Sequence, residues 1–589
     1  MRVDLVLLSL GGVQRFIAES RSTADVAGAS RIVQSLAKCA ATVVDGQLAG
    51  AAEPCGLIFP ATVDALSVTN KIVFLAPERA GPGIARAAAE EISQTWRTQL
   101  EQAFRPDQPP DAPGMPDVAW VSVTGPVAEG GYGMLWQAAQ EEMDGRKRAR
   151  VFEPFEIRGR TLCAQSPGLP AVKAPKRSRR HERDEALSAA GWAKRQAGRT
   201  GEAFPSTVSI ASSVFRSRLL EHAAADPDLV AELRDPVGTL VTALTTLDIP
   251  GDHATLRSVP VPDGLEPLAG RLGAWVSAER WNPDALAGEY GTRPDAELVR
   301  GAQRAAGAIT AIARKAGIQA PSPYFAVVVQ DLDRLGRALG TCGLNQQREV
   351  SRQLSALAAE QRALIKAQHP RVEVVYTGGD DLLAFCPAAD ALTLARSIRE
   401  QVRDTVSTGL LATAGRDGGP ITASTGVVFA HMSNPLQDAV RSAQEAIKKA
   451  KEAKRDGGRS RDAFAVVVRR RGGERARTVL PWWPGADPNA ASAMTLLDQI
   501  RPGPESGALS GALGSDLERD KQVLSDLGAT DEALLRAELI RLVARHGGTK
   551  DAGDALCTLG LAERGVHKGR RFEPVPAALV ARFLSQEAR

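Results

Sequence analysis

Val372-Glu373-Val374-Val375-Tyr376-Thr377-Gly378-Gly379-Asp380-Asp381-Leu382-Leu383-Ala384-Phe385 contains two short apolar runs, Val372–Tyr376 and Leu382–Phe385, on either side of a Gly-Gly-Asp-Asp turn. Such runs predict strands, and the glycines between them predict a tight hairpin. Glycine permits positive φ and lets a phosphate approach the backbone closely. Upstream, Phe325–Gln330 reads as a buried strand that ends at Asp331, with Asp333 two residues on. If the extended geometry persists, both carboxylates share a face. Gln346–Gln368 reads as a helix with Val350, Leu354, Leu357, Leu364 and Ile365 along one side. Downstream come a helix over Ala391–Val406, with Asp390 as N-cap, and a strand over Ile421–Ala430. A helix over Pro435–Lys454 and a strand over Ala463–Val468 follow. The order is β-α-β-β-α-β with a helix and a strand appended, a ferredoxin-like unit. First and third strands are neighbours in that sheet, so the hairpin tip is expected beside Asp331.

The same order recurs at the N-terminus. Val3–Leu10, Leu57–Pro60, Ile72–Leu75 and Val118–Val123 read as strands. Helical patterns lie over Val13–Val44 and Ile84–Phe104. This first copy serves as a control. Its first strand ends in Ser9-Leu10-Gly11-Gly12, and its hairpin runs through Ser67-Val68-Thr69-Asn70, with no paired acids. It is expected to be a partner without metals that holds a second substrate.

Outside the two copies the chain divides by composition. The expected fold class is α+β: a first palm domain over 1–140, a basic irregular insert over 141–205, a mostly helical domain over 206–320, the acid-bearing second palm over 321–475, and a helical domain over 476–589. A length of 589 residues requires several cores, and the net charge of +4 is too small to make the whole surface a polyanion binder. Basic runs are local, at Arg146–Arg150 and Lys176–Arg180. They read either as contacts to an RNA backbone or as solvated loop. Six scattered cysteines form no CxxC pair, which argues against a disulfide framework or a four-cysteine zinc site. The opening Met1-Arg2-Val3-Asp4-Leu5 enters a strand and is wrongly flanked for a signal peptide. No membrane span is expected, and the expected compartment is the cytoplasm.

Clustered carboxylates repel one another unless a cation lies between them. Mg²⁺ takes a few carboxylates, several waters and substrate phosphates. Two such ions lower the pKa of an attacking 3′-hydroxyl and stabilise a pyrophosphate leaving group. A Gly-Gly-Asp-Asp turn alone also reads as a plain hairpin. The added Asp-x-Asp at the end of a buried strand, in the right order, favours a metal–nucleotide site. The expected metal ligands are Asp331, Asp333, Asp380 and Asp381 for two Mg²⁺ or Mn²⁺ ions, with Asp331, Asp380 and Asp381 catalytic. Gly378 and Gly379 would cradle the phosphates of a nucleoside triphosphate. Lys451, at the end of its helix, reads either as a triphosphate contact or as a solvated basic end favoured by the helix dipole.

Taken together, the residues resemble the large palm-domain subunit of type III CRISPR RNA-guided effector complexes, in particular the Cmr-type (III-B) branch. The resemblance rests on Gly12-Val13-Gln14-Arg15-Phe16-Ile17 with Arg21 and Asp25, Phe204-Pro205-Ser206, and Asp331-x-Asp333-x-x-Gly336. It continues through Tyr376-x-Gly378-Gly379-Asp380-Asp381, His431 with Pro435-Leu436, and Ala450-Lys451 leading to Arg459–Ala463. It implies ATP polymerisation into a cyclic oligoadenylate second messenger when target RNA is held. It also implies crRNA, target RNA, a small subunit and a crRNA 5′-end-binding subunit as partners. Ser351 and its first-palm counterpart Ser30 match the family's adenine-contacting serines.

Two departures alter the expectation. The chain starts at the first palm, and none of its seven histidines precedes an aspartate, so no metal-dependent DNase is expected. The family's four-cysteine zinc module is reduced to Cys163, with Gly191-Trp192-Ala193-Lys194-Arg195 where a cysteine pair would stand. No zinc is expected, and Lys194 and Arg195 would pack or touch RNA. A silent scaffold for RNA-binding subunits and a stand-alone nucleotide cyclase remain competing functions. The acids speak against the first, and the helical C-terminus and basic insert against the second.

Overall fold

The computed structural model describes residues 1–63, 69–127, 131–149, 160–179, 182–200, 204–252, 256–290, 293–407, 421–454, 460–484, 491–500, 512–564 and 572–587. Ser67, Val68, Arg150, Arg180 and Arg459, which figured in the sequence reading, lie outside them.

The architecture is α+β, built on two sheets. In the first, β1 (Arg2–Gly11), β2 (Gly56–Phe59), β3 (Lys71–Pro77) and β4 (Asp117–Pro126) lie in the order β2-β3-β1-β4. The second holds β5 (Tyr324–Leu332), β6 (Glu373–Thr377), β7 (Asp381–Pro387), β8 (Ala423–His431), β9 (Ala463–Arg470) and β10 (Gly473–Pro481). Its order, β6-β7-β5-β8-β9-β10, repeats the first sheet and extends it by two strands. Pairing is antiparallel except between β8 and β9.

Strands β1, β5, β8 and β9 are nearly continuous apolar runs because both of their faces are covered. Val6, Leu8 and Leu10 of β1 join Phe325, Val327 and Val329 of β5 in one core, with the helices Thr23–Leu48, Gly81–Phe104 and Leu436–Glu452. The opposite face of β1, with Val3, Leu5 and Leu7, packs in a core that also takes Val350, Leu354 and Leu357 from the helix Leu344–Gln368. The two palms therefore share apolar interior. At about 1.5–3 kcal/mol for each fully buried large side chain, that sharing fixes their mutual orientation. The other face of β5 packs with the C-terminal helices. Helices dominate 207–315, as expected.

Three boundaries differ from the sequence reading. The first helical pattern breaks into Val13–Ala18 and Thr23–Leu48, because the Ser22 hydroxyl accepts the Asp25 N–H at 3.1 Å and starts a new helix. Residues Gly131–Arg148 form a helix, so the basic run at 146–148 is a helix end and not part of an irregular insert. Tyr132, Leu135, Trp136, Ala139 and Met143 are the buried stripe that holds it. Strand β10 carries the second sheet to Pro481, past the expected boundary at 475. Among the described residues no helix is long and apolar enough to cross a membrane.

Candidate nucleotidyl-transfer site

The hairpin between β6 and β7 is the expected tight turn. Gly378 N–H donates to Asp381 O at 2.7 Å, and Leu332 N–H donates to Asp380 O at 2.8 Å. Gly379 has φ +94°, and a Cβ there would meet the Leu354 carbonyl oxygen at 2.8 Å. Both conditions require glycine. At Gly378 the obstacle is the chemistry itself: a Cβ would lie 2.2 Å from Asp381 Oδ1.

Register brings the acids together. Asp331, at the end of β5, is the direct cross-strand partner of Asp381 on β7. Asp380 is beside it on the turn. Burial, then the Asp331 charge, raises the Asp380 carboxyl to about 6. Asp381 is held well above the usual carboxylate range by burial and then by Asp380 and Asp331. Asp331 is raised by burial, against the opposing pull of Lys451, whose ammonium is ion-paired with it. Tyr376, which the motif includes without a role, lies in the field of all three acids, and burial is the larger cause of its raised phenol pKa.

Asp333 does not join this group. The strand ends at Leu332, and Arg334 takes a left-handed backbone at φ 64°, which turns Asp333 inward. Its fully buried carboxylate accepts from Thr422 Oγ1 at 2.8 Å, Ser424 Oγ at 2.9 Å and the Asp462 N–H at 3.0 Å. The expectation of a metal ligand at Asp333 is therefore corrected: its lone pairs tie β5 to β8 and to the start of β9.

The two palms can be aligned atom for atom at this edge. Leu10 N–H donates to Asn70 O at 2.8 Å, the counterpart of the bond from Leu332 to Asp380. Gly12, like Arg334, is a left-handed N-cap of a short helix. Ser9, Gly11, Asn70 and Lys71 thus stand where Asp331, Asp333, Asp380 and Asp381 stand in the second palm. Lys71 was not visible as a site residue from the sequence, because only strand register places it. Its ammonium donates to Gln140 Oε1 at 3.0 Å. Burial and the nearby Lys147 bring its pKa down to about 8, while Asp144 and Asp380 pull upward. A cleft of about 1470 Å³ opens beside this edge, lined by Gly11, Gly12, Asn70, Arg146, Lys147 and Arg441 among others.

The two candidate serines are buried at the palm–palm contact and are related by the same pseudo-symmetry. Ser30 Oγ donates to Val375 O of β6 at 3.1 Å, while Ser351 Oγ accepts the Ala61 N–H, just past β2, at 2.9 Å. Each hydroxyl is held by the other palm's second strand or its exit.

The segment around Lys194 and Arg195 is held by buried ionic contacts. Lys194 is buried and donates to Phe16 O at 3.0 Å, and burial brings its ammonium to about 8 against the pull of Asp25, Glu19 and Cys163. Arg195 pairs with Asp25 at 2.7 Å, Glu185 at 3.2 Å and Glu182 at 3.3 Å. Lys194 and Arg195 are thus packed interior residues. The helix Ala189–Thr200 crosses Thr23–Leu48 so closely that a Cβ on Gly28 would meet Lys194 O at 2.1 Å.

Tandem sheets of this order, with a carboxylate-bearing hairpin in the second only, define a tandem-palm fold. Residues 324–463 match the family model described as Cas10/Cmr2, second palm domain. Across 99% of its length the chain has the fold of a type III-B Cmr-beta chain in the apo state, with TM-score 0.64, 13% identity and 82% of that chain covered. A Cmr-beta chain bound to cognate target RNA matches over 100% of this chain and 83% of its own, at TM-score 0.63 and 15% identity. A more distant likeness is to a Csm1–Csm4 cassette in complex with cA4, at TM-score 0.41, 14% identity, and 95% and 70% coverage. No protein of curated function matches the chain. The chain thus shares the fold of these Cmr-beta chains, and its match to the Cas10/Cmr2 family model lies in the second palm.

Proposed function

We propose that the chain is the large subunit of a type III RNA-guided effector complex and converts ATP to cyclic oligoadenylate when target RNA is bound. The observation that carries this reading is the direct facing of Asp331 and Asp381 across β5 and β7, with Asp380 on the adjoining glycine turn. The proposed partners are crRNA, target RNA, a small subunit and a crRNA 5′-end-binding subunit.

The residues fit Mg²⁺ or Mn²⁺. Beyond burial, the Asp331 charge raises the pKa of Asp380, and Asp380 and Asp331 raise that of Asp381; a divalent cation relieves that repulsion. Among the described residues no three carboxylate, imidazole or thiolate groups form a ready-made cage, so Asp331, Asp380 and Asp381 would share the ions with water and substrate phosphates. The metals would lower the pKa of an attacking hydroxyl and stabilise the leaving pyrophosphate. The chain's own residues supply position and charge. Gly378 leaves the Asp381 carboxylate unobstructed, and Gly379 fixes the turn on the helix Leu344–Gln368. Lys451 from the second palm and Lys71 from the first bring cations to a triphosphate from two sides. The first palm, with Lys71 in place of an acid, holds a nucleotide without metals of its own.

A silent scaffold is favoured by one observation, the ion pair of Lys451 with Asp331, which engages an acid the chemistry needs. Reconstituted complex incubated with labelled ATP, Mg²⁺ or Mn²⁺ and cognate RNA separates the readings. An RNA-dependent, chelator-sensitive oligonucleotide product supports the enzyme. Absence of product leaves the scaffold, and a chelator-insensitive product overturns the metal assignment.

A further inference from the structure

A second polar cavity, of about 260 Å³, lies away from the catalytic turn, between the helix Ala391–Ser407 and the end of β10. Arg396, Arg399 and Arg403 line it, spaced three and four residues apart and so on one helix face. Trp483 and the hydroxyl-bearing Ser492 and Thr495 form the opposite wall. The Arg399 and Arg403 guanidiniums sit 4.9 and 5.7 Å from the centre of the Trp483 ring.

Each arginine has a carboxylate partner, but the three pairs differ in burial. Arg396 pairs with Glu400 at 2.9 Å and Arg403 with Asp404 at 3.3 Å, both near solvent. Such exposed pairs are weak and yield readily to a better anion. Arg399 is different. Only 4% of its side chain is exposed. Nε and Nη2 both donate to a single oxygen of Asp462, at 3.1 and 2.6 Å. Its Nη1 is buried with no acceptor among the described residues. A buried guanidinium N–H without an acceptor is unfavourable, and reorientation of Arg399 towards an anion in the cavity would relieve it.

We propose that this cavity is an anion site for a small phosphate-bearing ligand, of the pyrophosphate or nucleoside-triphosphate class. Arginine binds phosphate through paired N–H edges, and Trp483 excludes water from one side. The volume admits a pyrophosphate group and rejects a duplex. The site is also wired to the reactive centre. Asp462, which holds Arg399, donates its N–H to Asp333, and Asp333 ties down the residues just past Asp331. Arg461 and Asp462 have positive φ, 74° and 46°, so this link is a constrained backbone segment and responds to a change in its side-chain partners. An anion that draws Arg399 off Asp462 therefore alters the support of the catalytic strand.

The test uses the full chain carrying Asp380→Ala and Asp381→Ala, in EDTA, so that neither turnover nor a metal–phosphate complex contributes. Inorganic pyrophosphate, ATP and inorganic phosphate are titrated separately, with Trp fluorescence and calorimetry as readouts. Saturable binding of pyrophosphate or ATP is expected. It should weaken about tenfold or more in Arg396→Ala/Arg403→Ala, a variant of exposed residues that keeps the fold. Trp483→Phe should remove the fluorescence change but not the heat. The ATP and pyrophosphate arms distinguish a nucleotide from a free leaving group as the source. Absence of saturable binding overturns the proposal, as does equal affinity in the double arginine variant. Binding of single-stranded RNA alone, with no small anion, overturns it in favour of an RNA contact.

Discussion

Replacing each turn glycine by alanine separates the chemistry from the fold. At Gly379 the new Cβ falls 2.8 Å from the Leu354 carbonyl oxygen and 3.1 Å from its carbon, both helix backbone, and the φ of +94° is strained for any side chain. The left-handed backbone costs about 1 kcal/mol and the overlap about 1–3 kcal/mol, so Gly379→Ala should lose about 2–4 kcal/mol of stability. The turn must also lift off the helix Leu344–Gln368, displacing Asp380. At Gly378 the backbone is ordinary, and the Cβ meets Asp381 Oδ1 at 2.2 Å. That carboxylate can rotate away, so stability should fall by less than about 1 kcal/mol. The cost appears in turnover, about a hundredfold, because a reacting group is moved by an ångström or so. Urea unfolding of the free chain and initial rates of labelled-ATP conversion by the complex measure the two effects. Full turnover in Gly378→Ala, or wild-type stability in Gly379→Ala, would refute the reasoning.

Lys71→Met should raise the KM for ATP with a smaller change in kcat, since the ammonium is placed to hold phosphate and not to react; unchanged KM would remove the first palm from the site. Asp333→Ala should destabilise by about 3 kcal/mol, because Thr422, Ser424 and Asp462 all lose an acceptor for a buried donor; urea midpoints check this, and a stable but metal-deficient variant would restore Asp333 as a ligand. Asp25 is pushed up by burial, but Arg195 outweighs this and leaves its pKa below 3.8. A depressed carboxylate stabilises above its unfolded pKa and loses that contribution as pH falls through the folded one. The module at 160–200 should therefore be resistant to chelators and melt below about pH 3.8, and Asp25→Asn should flatten that acid limb in thermal scans.

Much of this site could be read directly from side-chain pattern. Strands β6 and β7 are short, largely apolar runs with a turn signal between them, and the adjacency of β7 to β5 follows from topology, so Asp331, Asp380 and Asp381 converge as expected. Asp333 turned away because the strand stops at Leu332, one residue short of it, and nothing in Asp-Leu-Asp-Arg announces a left-handed arginine at 334. Lys71 was hidden for a different reason. Its meaning comes from pairing register, and the sequence shows only a lysine before an apolar strand. The helix Gly131–Arg148 was obscured by its basic end, although Leu135, Ala139 and Met143 keep helical spacing. Strand β10 was missed because Glu474, Arg475 and Arg477 interrupt its alternation at the sheet edge. The ionic contacts of Arg195 are partly local, to Glu182 and Glu185, but those that tie the segment to the first palm through Asp25 join residues 140 or more positions apart, which no local pattern encodes.

The central claim is that the second palm's acids perform nucleotidyl transfer. The most direct measurement is product formation from labelled ATP by complex carrying Asp380→Ala/Asp381→Ala, compared with wild type at saturating cognate RNA and Mg²⁺, with an unaltered unfolding transition for the variant. The account predicts a fall of about a thousandfold or more, since both acids serve the metal-assisted step. Oligonucleotide product at a comparable rate in the variant would contradict it.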